Sequence, residues 1–336
     1  MRAWFLPAFV ALLGCTEGAD GRAADVPGGD VGADVASDAL PDPAPDAWTE
    51  TAPDATSEAT PDLPTGVPGG SPLPTALAGW VRVTEETDET GKPSYSRVEA
   101  ELRSGPLPST QVEVDRVGDC VLLVGDLMNR WECDPMCEWG EEACVGKQCV
   151  PYPAPAPAGR ITISGLAAAI RLSPDATGRY AAVYEAPADL FAAGAEVRAS
   201  SEGGATPAFD LAARGVADFH PDMTGFDVRP GQDGKHKDGV IRWDPPPGGP
   251  ASGTRVYALI QTGWHGSPSL TTIWCDASDD GDLVVDASLL ERFPIPSCGE
   301  CEGSYVGRYT QANLDFGAGP GQLFVASRRW FVAWWK

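Results

Sequence analysis

Beyond residue 78 the chain alternates apolar and polar positions with the period of two that half-buried β-strands require. Trp80-Val-Arg-Val-Thr, Tyr95-Ser-Arg-Val-Glu-Ala-Glu-Leu, Gln111-Val-Glu-Val-Asp and Cys120-Val-Leu-Leu-Val are the first such runs. After Gly159 the pattern resumes in Arg160-Ile-Thr-Ile-Ser-Gly, Tyr180-Ala-Ala-Val-Tyr, Ala195-Glu-Val-Arg-Ala and Val240-Ile-Arg-Trp. Arg255-Val-Tyr-Ala-Leu-Ile-Gln, Leu270-Thr-Thr-Ile-Trp-Cys, Leu283-Val-Val-Asp and Leu323-Phe-Val-Ala-Ser complete the set. Gly, Pro and Asp clusters punctuate these runs at roughly the spacing of strand–turn–strand architecture. The pattern predicts an all-β fold built as one or more β-sandwiches. Only Ala287-Ser-Leu-Leu-Glu-Arg-Phe reads as a helix, with Asp286 as N-cap and Pro294 as its stop.

Two stretches at the start break the alternation. Ala3 to Ala11 is an apolar run behind Arg2, and it leads into Leu12-Leu13-Gly14-Cys15. A charged n-region, a short h-region and a small-residue cleavage site mark a secretory signal rather than a membrane span. From Thr16 to Thr75 the chain is Ala, Pro, Asp, Thr and Gly with almost no large apolar side chain. Its nine Asp, three Glu and one Arg give 1 − 12 = −11. Such a segment buries too little apolar surface to offset chain entropy and is expected to remain a solvated tether. Four segments follow: a signal over 1–14, an acidic Pro/Ala-rich tether over 15–77, strands with a cysteine-rich knot over 78–157, and a sandwich over 158–336. The stiff run Pro151-Tyr-Pro-Ala-Pro-Ala-Pro separates the last two.

Charge narrows the function. The whole chain carries a net charge of −24. Phosphate contacts need Lys and Arg, so nucleic acid is not expected as a partner. Anionic lipid surfaces would repel the chain as well.

Nine cysteines occur. With Cys15 at the cleavage site, eight remain for an exported chain in an oxidising compartment. Cys120, Cys133, Cys137, Cys144 and Cys149 form one group; Cys275, Cys298 and Cys301 form the other. Both groups are odd, so full pairing requires a disulfide between them. Cys120–Cys275 is the expected link, because each residue ends an apolar strand-like run, and Cys298–Cys301 is then a local pair. Read as zinc instead, Cys298 and Cys301 would need two further ligands, for which Cys275 and His265 are the candidates.

Few other groups suggest chemistry. The three histidines lie in no metal or nucleophile signature, and no nucleophile elbow or phosphate loop occurs. No cofactor is therefore expected, and the chain reads as a non-enzyme. Asp276, Asp279, Asp280 and Asp282 fall within seven residues around Gly281. Their spacing does not match an EF-hand loop, but oxygen ligands on a sandwich loop suit a structural Ca2+. The alternative is a turn in which Asp-Gly supplies special backbone angles. Tryptophan concentrates near the end of the chain. Trp334 and Trp335 belong either to a buried final strand or to an exposed aromatic platform. Trp264 and His265, between Gly263 and Gly266, fall in a loop, where a Trp is harder to bury and better placed to meet a ligand.

Leu12-Leu13-Gly14-Cys15 resembles a bacterial lipoprotein lipobox, which implies cleavage before Cys15 and lipidation of its sulfur. The stretch Cys133-x3-Cys137-x6-Cys144-x4-Cys149 resembles small interlaced disulfide modules, which implies Cys133–Cys144 and Cys137–Cys149. Ile241-Arg-Trp243-Asp-Pro-Pro-Pro before Arg255-Val-Tyr-Ala-Leu-Ile resembles immunoglobulin-like and fibronectin-type sandwiches. Lipobox, Asp/Pro tether, Gly118-Asp-Cys120, the knot ending Cys149-Val-Pro-Tyr-Pro, Ile163-Ser-Gly-Leu166 and Cys275…Asp280-Gly-Asp-Leu-Val-Val together resemble envelope lipoproteins of myxobacterial type. That resemblance brings no activity with it. The expectation is a lipid-anchored, non-catalytic envelope protein that recognises a protein or polysaccharide partner. The alternatives are a purely structural envelope lipoprotein and a hydrolase whose active site is scattered along the chain.

Overall fold

A computed structural model describes residues 77–331, apart from 89, 110, 126–132, 139–140, 186–188, 247, 250–252, 262–270 and 294–303. The first strands are β1 (Gly79–Thr87), β2 (Pro93–Leu102), β3 (Val112–Val117), β4 (Cys120–Val124), β5 (Glu142–Val145) and β6 (Gln148–Pro151). They are followed by β7 (Ile161–Ser164), β8 (Ile170–Leu172), β9 (Arg179–Glu185), β10 (Glu196–Ser201), β11 (Asp210–Arg214) and β12 (Gly239–Arg242). The last are β13 (Arg255–Gln261), β14 (Thr271–Ser278), β15 (Asp282–Val285), the helix α1 (Ala287–Glu291), β16 (Ser304–Asp315) and β17 (Pro320–Phe331). The all-β class expected from the alternation is therefore what the chain forms, and α1 is capped by Asp286, whose carboxylate accepts the Ser288 N–H.

Nine strands make one large sheet in the order β3-β4-β14-β13-β16-β17-β1-β2-β9. The segments 78–157 and 158–336 both contribute strands to it. Every pairing is antiparallel except β1 with β17, which run parallel with Gly79 opposite Gly321 and Thr87 opposite Arg329. Two smaller sheets, β11-β10-β7-β8 and β12-β15, pack against the same face of the large one.

That packing divides the core in two. Over one half, Val81, Val83, Val98, Leu323 and Val325 meet Ile161, Ile163, Val197 and Leu211. Over the other half, Val256, Ile260, Ile273 and Val306 meet Ile241, Leu283, Val285 and the α1 residues Leu289 and Leu290. This is the two-layer arrangement of a β-sandwich. Between the two halves the sheet carries polar side chains: Glu85 accepts the N–H groups of Leu190 (2.6 Å) and Phe191 (3.3 Å), and Ser327 Oγ accepts that of Phe219 (3.2 Å).

Disulfides staple this frame. Cys120 and Cys275 stand directly opposite in the β4–β14 register and are bonded, joining the two cysteine groups as parity requires. The knot pairs Cys133 with Cys144 and Cys137 with Cys149. Its β5–β6 hairpin turns through Gly146 and Lys147, both at positive φ (57° and 65°), the mirror-image turn that matches strand twist.

The aromatic face of the large sheet as the candidate functional site

Because side chains alternate across a strand, the large sheet has a second face. That face carries its own cluster: Val121, Leu123, Tyr257, Trp274, Tyr309, Phe324 and Ala326, with Leu259 and Tyr305 packed against them. Every one of these residues belongs to the large sheet. The smaller sheets and α1 contribute none of them.

The aromatic rings interlock as two stacked pairs set edge to face. Tyr257 stacks on Trp274 (centroids 5.4 Å apart), Tyr309 stacks on Phe324 (5.0 Å), and Tyr257 stands edge-on to both Tyr309 and Phe324 (5.7 Å each). Such offset and edge-to-face arrangements are favoured by the ring quadrupoles. Gly307 makes room for them: a Cβ there would lie 2.9 Å from the Tyr257 ring and 2.7 Å from Arg328 Cβ. The Trp274 indole N–H is buried and has no hydrogen-bond partner among the described residues.

Charges border the rings. Tyr309 donates its hydroxyl to Asp276 (2.8 Å), whose same oxygen accepts Arg255 Nε (2.7 Å). Burial, reinforced by the Asp276 charge, pushes the Tyr309 phenol above its ordinary range. Arg328 lies over the Tyr305 ring (4.0 Å) and pairs with Glu86 (2.7 Å). Burial opposes the Arg328 charge, but Tyr257, Glu86 and Tyr305 outweigh it and raise its pKa.

On the β1 side the face becomes more polar and more open. Arg82 lies over the Trp80 ring at 4.2 Å, and both side chains are half-buried. In the β1–β17 register Arg82 is opposite Phe324 and Trp80 opposite Gln322. Gln322 donates to Gln311 Oε1 (2.5 Å) and Asn313 Oδ1 (3.4 Å), forming an amide ladder across β16 and β17. Among the described residues no hydrogen bond or ion pair reaches the Arg82 guanidinium. Burial lowers its pKa, Glu99 on the neighbouring strand opposes that, and Arg328 adds to it. Rings, amides and a guanidinium within one sheet face are the groups that recognise sugars: aromatic surfaces for the C–H faces, fixed amides and charges for the hydroxyls and acid groups.

The structure does not bring the four aspartates together. Asp276 is on the aromatic face, bound to Tyr309 and Arg255, whereas Asp279 is buried on the opposite side and accepts Trp243 Nε1 (2.7 Å) and two bonds from Arg308. The chain beyond Asp279 passes through Gly281 at φ 119°, so the Asp-Gly pair serves a change of direction toward β15. Cys275, the thiol proposed to complete a zinc site, is occupied by Cys120. The sulfurs of Cys133, Cys137 and Cys149 lie within 4.8 Å of one another, but each is already in a disulfide. Cys15, Trp264, His265, Cys298, Cys301, Trp334 and Trp335 lie outside the described residues.

Sequence reasoning missed most of the aromatic face. The available signal was that β13, β14 and β17 carry apolar residues on both sides, as Tyr257-Ala-Leu259, Trp274-Cys275 and Leu323-Phe-Val-Ala show. A two-sided apolar strand announces a second buried or ligand-covered surface. Away from this face, a groove of about 550 Å³ runs between Arg103, Arg179, Tyr152 and Pro151, Pro153 and Pro155, but Arg103 there is committed to Glu101 and the Pro153 carbonyl. No protein-family model matches the chain, and no curated protein is similar to it in sequence.

Proposed function

We propose that this protein is a non-catalytic recognition module of the cell envelope, held at a membrane by lipid on Cys15, that binds polysaccharide through the aromatic face of its large sheet. One observation carries the reading: a ring cluster that, among the described residues, is built from the sheet's own strands lies on the same face as half-buried Trp80, Arg82, Tyr305 and the Gln322–Gln311–Asn313 ladder. Aromatic residues supply large contact area at small entropy cost, and preformed amides set orientation without reorganisation. Trp264, Trp334 and Trp335 extend the aromatic supply of the chain and belong to the same proposal.

The near-complete burial of Tyr257, Trp274, Tyr309 and Phe324 favours a second reading, a purely structural envelope lipoprotein whose rings only stabilise the sheet. Retention on isolated envelope polysaccharide separates the two. Trp80→Ala should weaken retention with little change in melting, since Trp80 is half-buried. Unchanged retention with lowered melting would leave only the structural reading. Cys15→Ser should release the protein from the membrane pellet, and a mutant that stays there after salt and carbonate washes would remove the anchor.

A further inference from the structure

We infer that β3 is a self-association edge: two copies of this chain pair their β3 strands antiparallel about a twofold axis, continuing the large sheet from one copy into the next. β3 ends that sheet, and among the described residues β4 is its only strand partner. Its six positions, Val112-Glu-Val-Asp-Arg-Val, include no buried residue. Val112 is 64% exposed and Val114 40%, and Val124, directly opposite Val112 on β4, is 41% exposed. A strand edge that presents apolar side chains to solvent is a template for another strand. Nothing in this pairing needs a ligand on the aromatic face.

The residues of the edge select a second copy as the partner. The register shift between Glu113 and Asp115 puts Glu113 and Arg116 opposite Leu123 and Val121, on the aromatic side of the sheet. It puts Val112 and Val117 opposite Val124 and Cys120, on the other side. Without that extra residue Glu113 and Arg116 would face opposite sides. A twofold axis between Val114 and Asp115 then sets Glu113 against Arg116 of the second copy and Val112 against its Val117, and each contact occurs twice. Moving the axis onto Val114 sets Glu113 against Asp115, and moving it onto Asp115 sets that residue against itself. Like charges directly opposite destabilise a strand pair, so the mixed-charge register wins. Glu113 and Arg116 already pair within the chain (2.6 Å), but both side chains are exposed, so exchanging partners across the axis costs little. Asp115 is held by Arg292 (2.7 Å) and stays out of the exchange. A six-residue edge buries less than the about 1,000 Å² of a stable interface, so the dimer is a weak one.

Sedimentation equilibrium of the full chain, from micromolar to millimolar concentration, tests the pairing and should show exchange between monomer and dimer. Glu113→Arg and Arg116→Glu should each raise the dissociation constant about 10-fold, because each opposes like charges at two symmetric places. Mixing the two variants should restore association, since one edge is then basic at both positions and the other acidic. Val112→Lys, at an exposed position, should also weaken association, and the melting curve of every variant should stay close to that of the unaltered chain. A chain that remains monomeric throughout would overturn the inference. So would a dimer indifferent to these changes, or a mixture that associates no more tightly than its components.

Discussion

Arg308 and Asp279 meet fork to fork at 2.7 and 3.1 Å, with their side chains 2% and 0% exposed. The pair does more than neutralise itself. Arg308 also donates to the carbonyls of Ala217 (3.4 Å), Asp218 (3.0 Å) and Asp244 (3.2 Å), and Asp279 accepts Trp243 Nε1. Two long connections, one before β12 and one after it, are thereby tied to the middle of the large sheet.

Removing one member of this pair leaves a buried charge unsatisfied. Asp279→Ala should therefore cost about 3–5 kcal/mol in denaturant unfolding. The double change Arg308→Met with Asp279→Leu should cost less than Asp279→Ala alone. A double variant as unstable as the single one would mean that the carbonyl bonds of Arg308, not its pairing, dominate.

The Cys120–Cys275 bond spans 155 residues. On the chain-entropy account, closing so long a loop stabilises by about 5 kcal/mol. Cys120→Ala with Cys275→Ala should lower stability by an amount of that order, and by more than the loss of either knot disulfide, whose spans are 11 and 12 residues. Chemical denaturation of the three double variants gives the ranking directly.

Glu85 supplies a pH dependence. It is 3% exposed, and burial pushes its carboxyl from 4.5 to about 7, with Asp218 and Asp189 adding to the rise and the bonds from Phe191 and Leu190 opposing it. The folded state thus holds the proton more tightly than the unfolded chain. Its contribution is fully present below pH 4.5 and is lost as pH rises toward 7, by roughly 3 kcal/mol at 1.36 kcal/mol per pH unit. Glu85→Gln should flatten the stability profile between those pH values. The carboxylates held low by their partners, such as Asp227 beside Arg229, act in the opposite sense and at lower pH.

Gly307 tests the packing of the aromatic face. Gly307→Ala places a methyl within 3 Å of Tyr257, Arg328 and the Ser327 carbonyl. Overpacking of this kind costs about 1–3 kcal/mol. Tyrosine and tryptophan near-UV circular dichroism should change with it, because the stacked Tyr257–Trp274 pair must move.

Much of this fold could be read from alternation because β1, β7, β10 and β15 bury apolar residues on one side at period two. β16 escaped the rule for a specific reason. Its core-facing positions are Val306, Arg308 and Thr310, two of them polar and satisfied by distant partners, Thr310 by the Arg214 carbonyl. Alternation cannot register a core position filled by a buried ion pair. The inter-group disulfide followed from parity alone, whereas the division of labour between the two sheet faces did not. Which side of Trp274 or Tyr257 meets the smaller sheets depends on packing between strands far apart in sequence.

The parallel pairing of β1 with β17 orders events in time. Gly79, at the start of the first described strand, sits beside Gly321 in the last one, and β1 lies inside the sheet, not at its rim. A chain that emerges N-terminus first, from a ribosome or a translocation channel, can form the β1–β2 and β13–β14 hairpins early because their contacts are local. It cannot join β1 to β16 until Pro320–Phe331 has come through to lie between them. Until then β1 exposes an unpaired edge, so a truncated or stalled product is an incomplete sheet prone to wrong strand pairing, and completion is governed by arrival of the final twelve-residue strand.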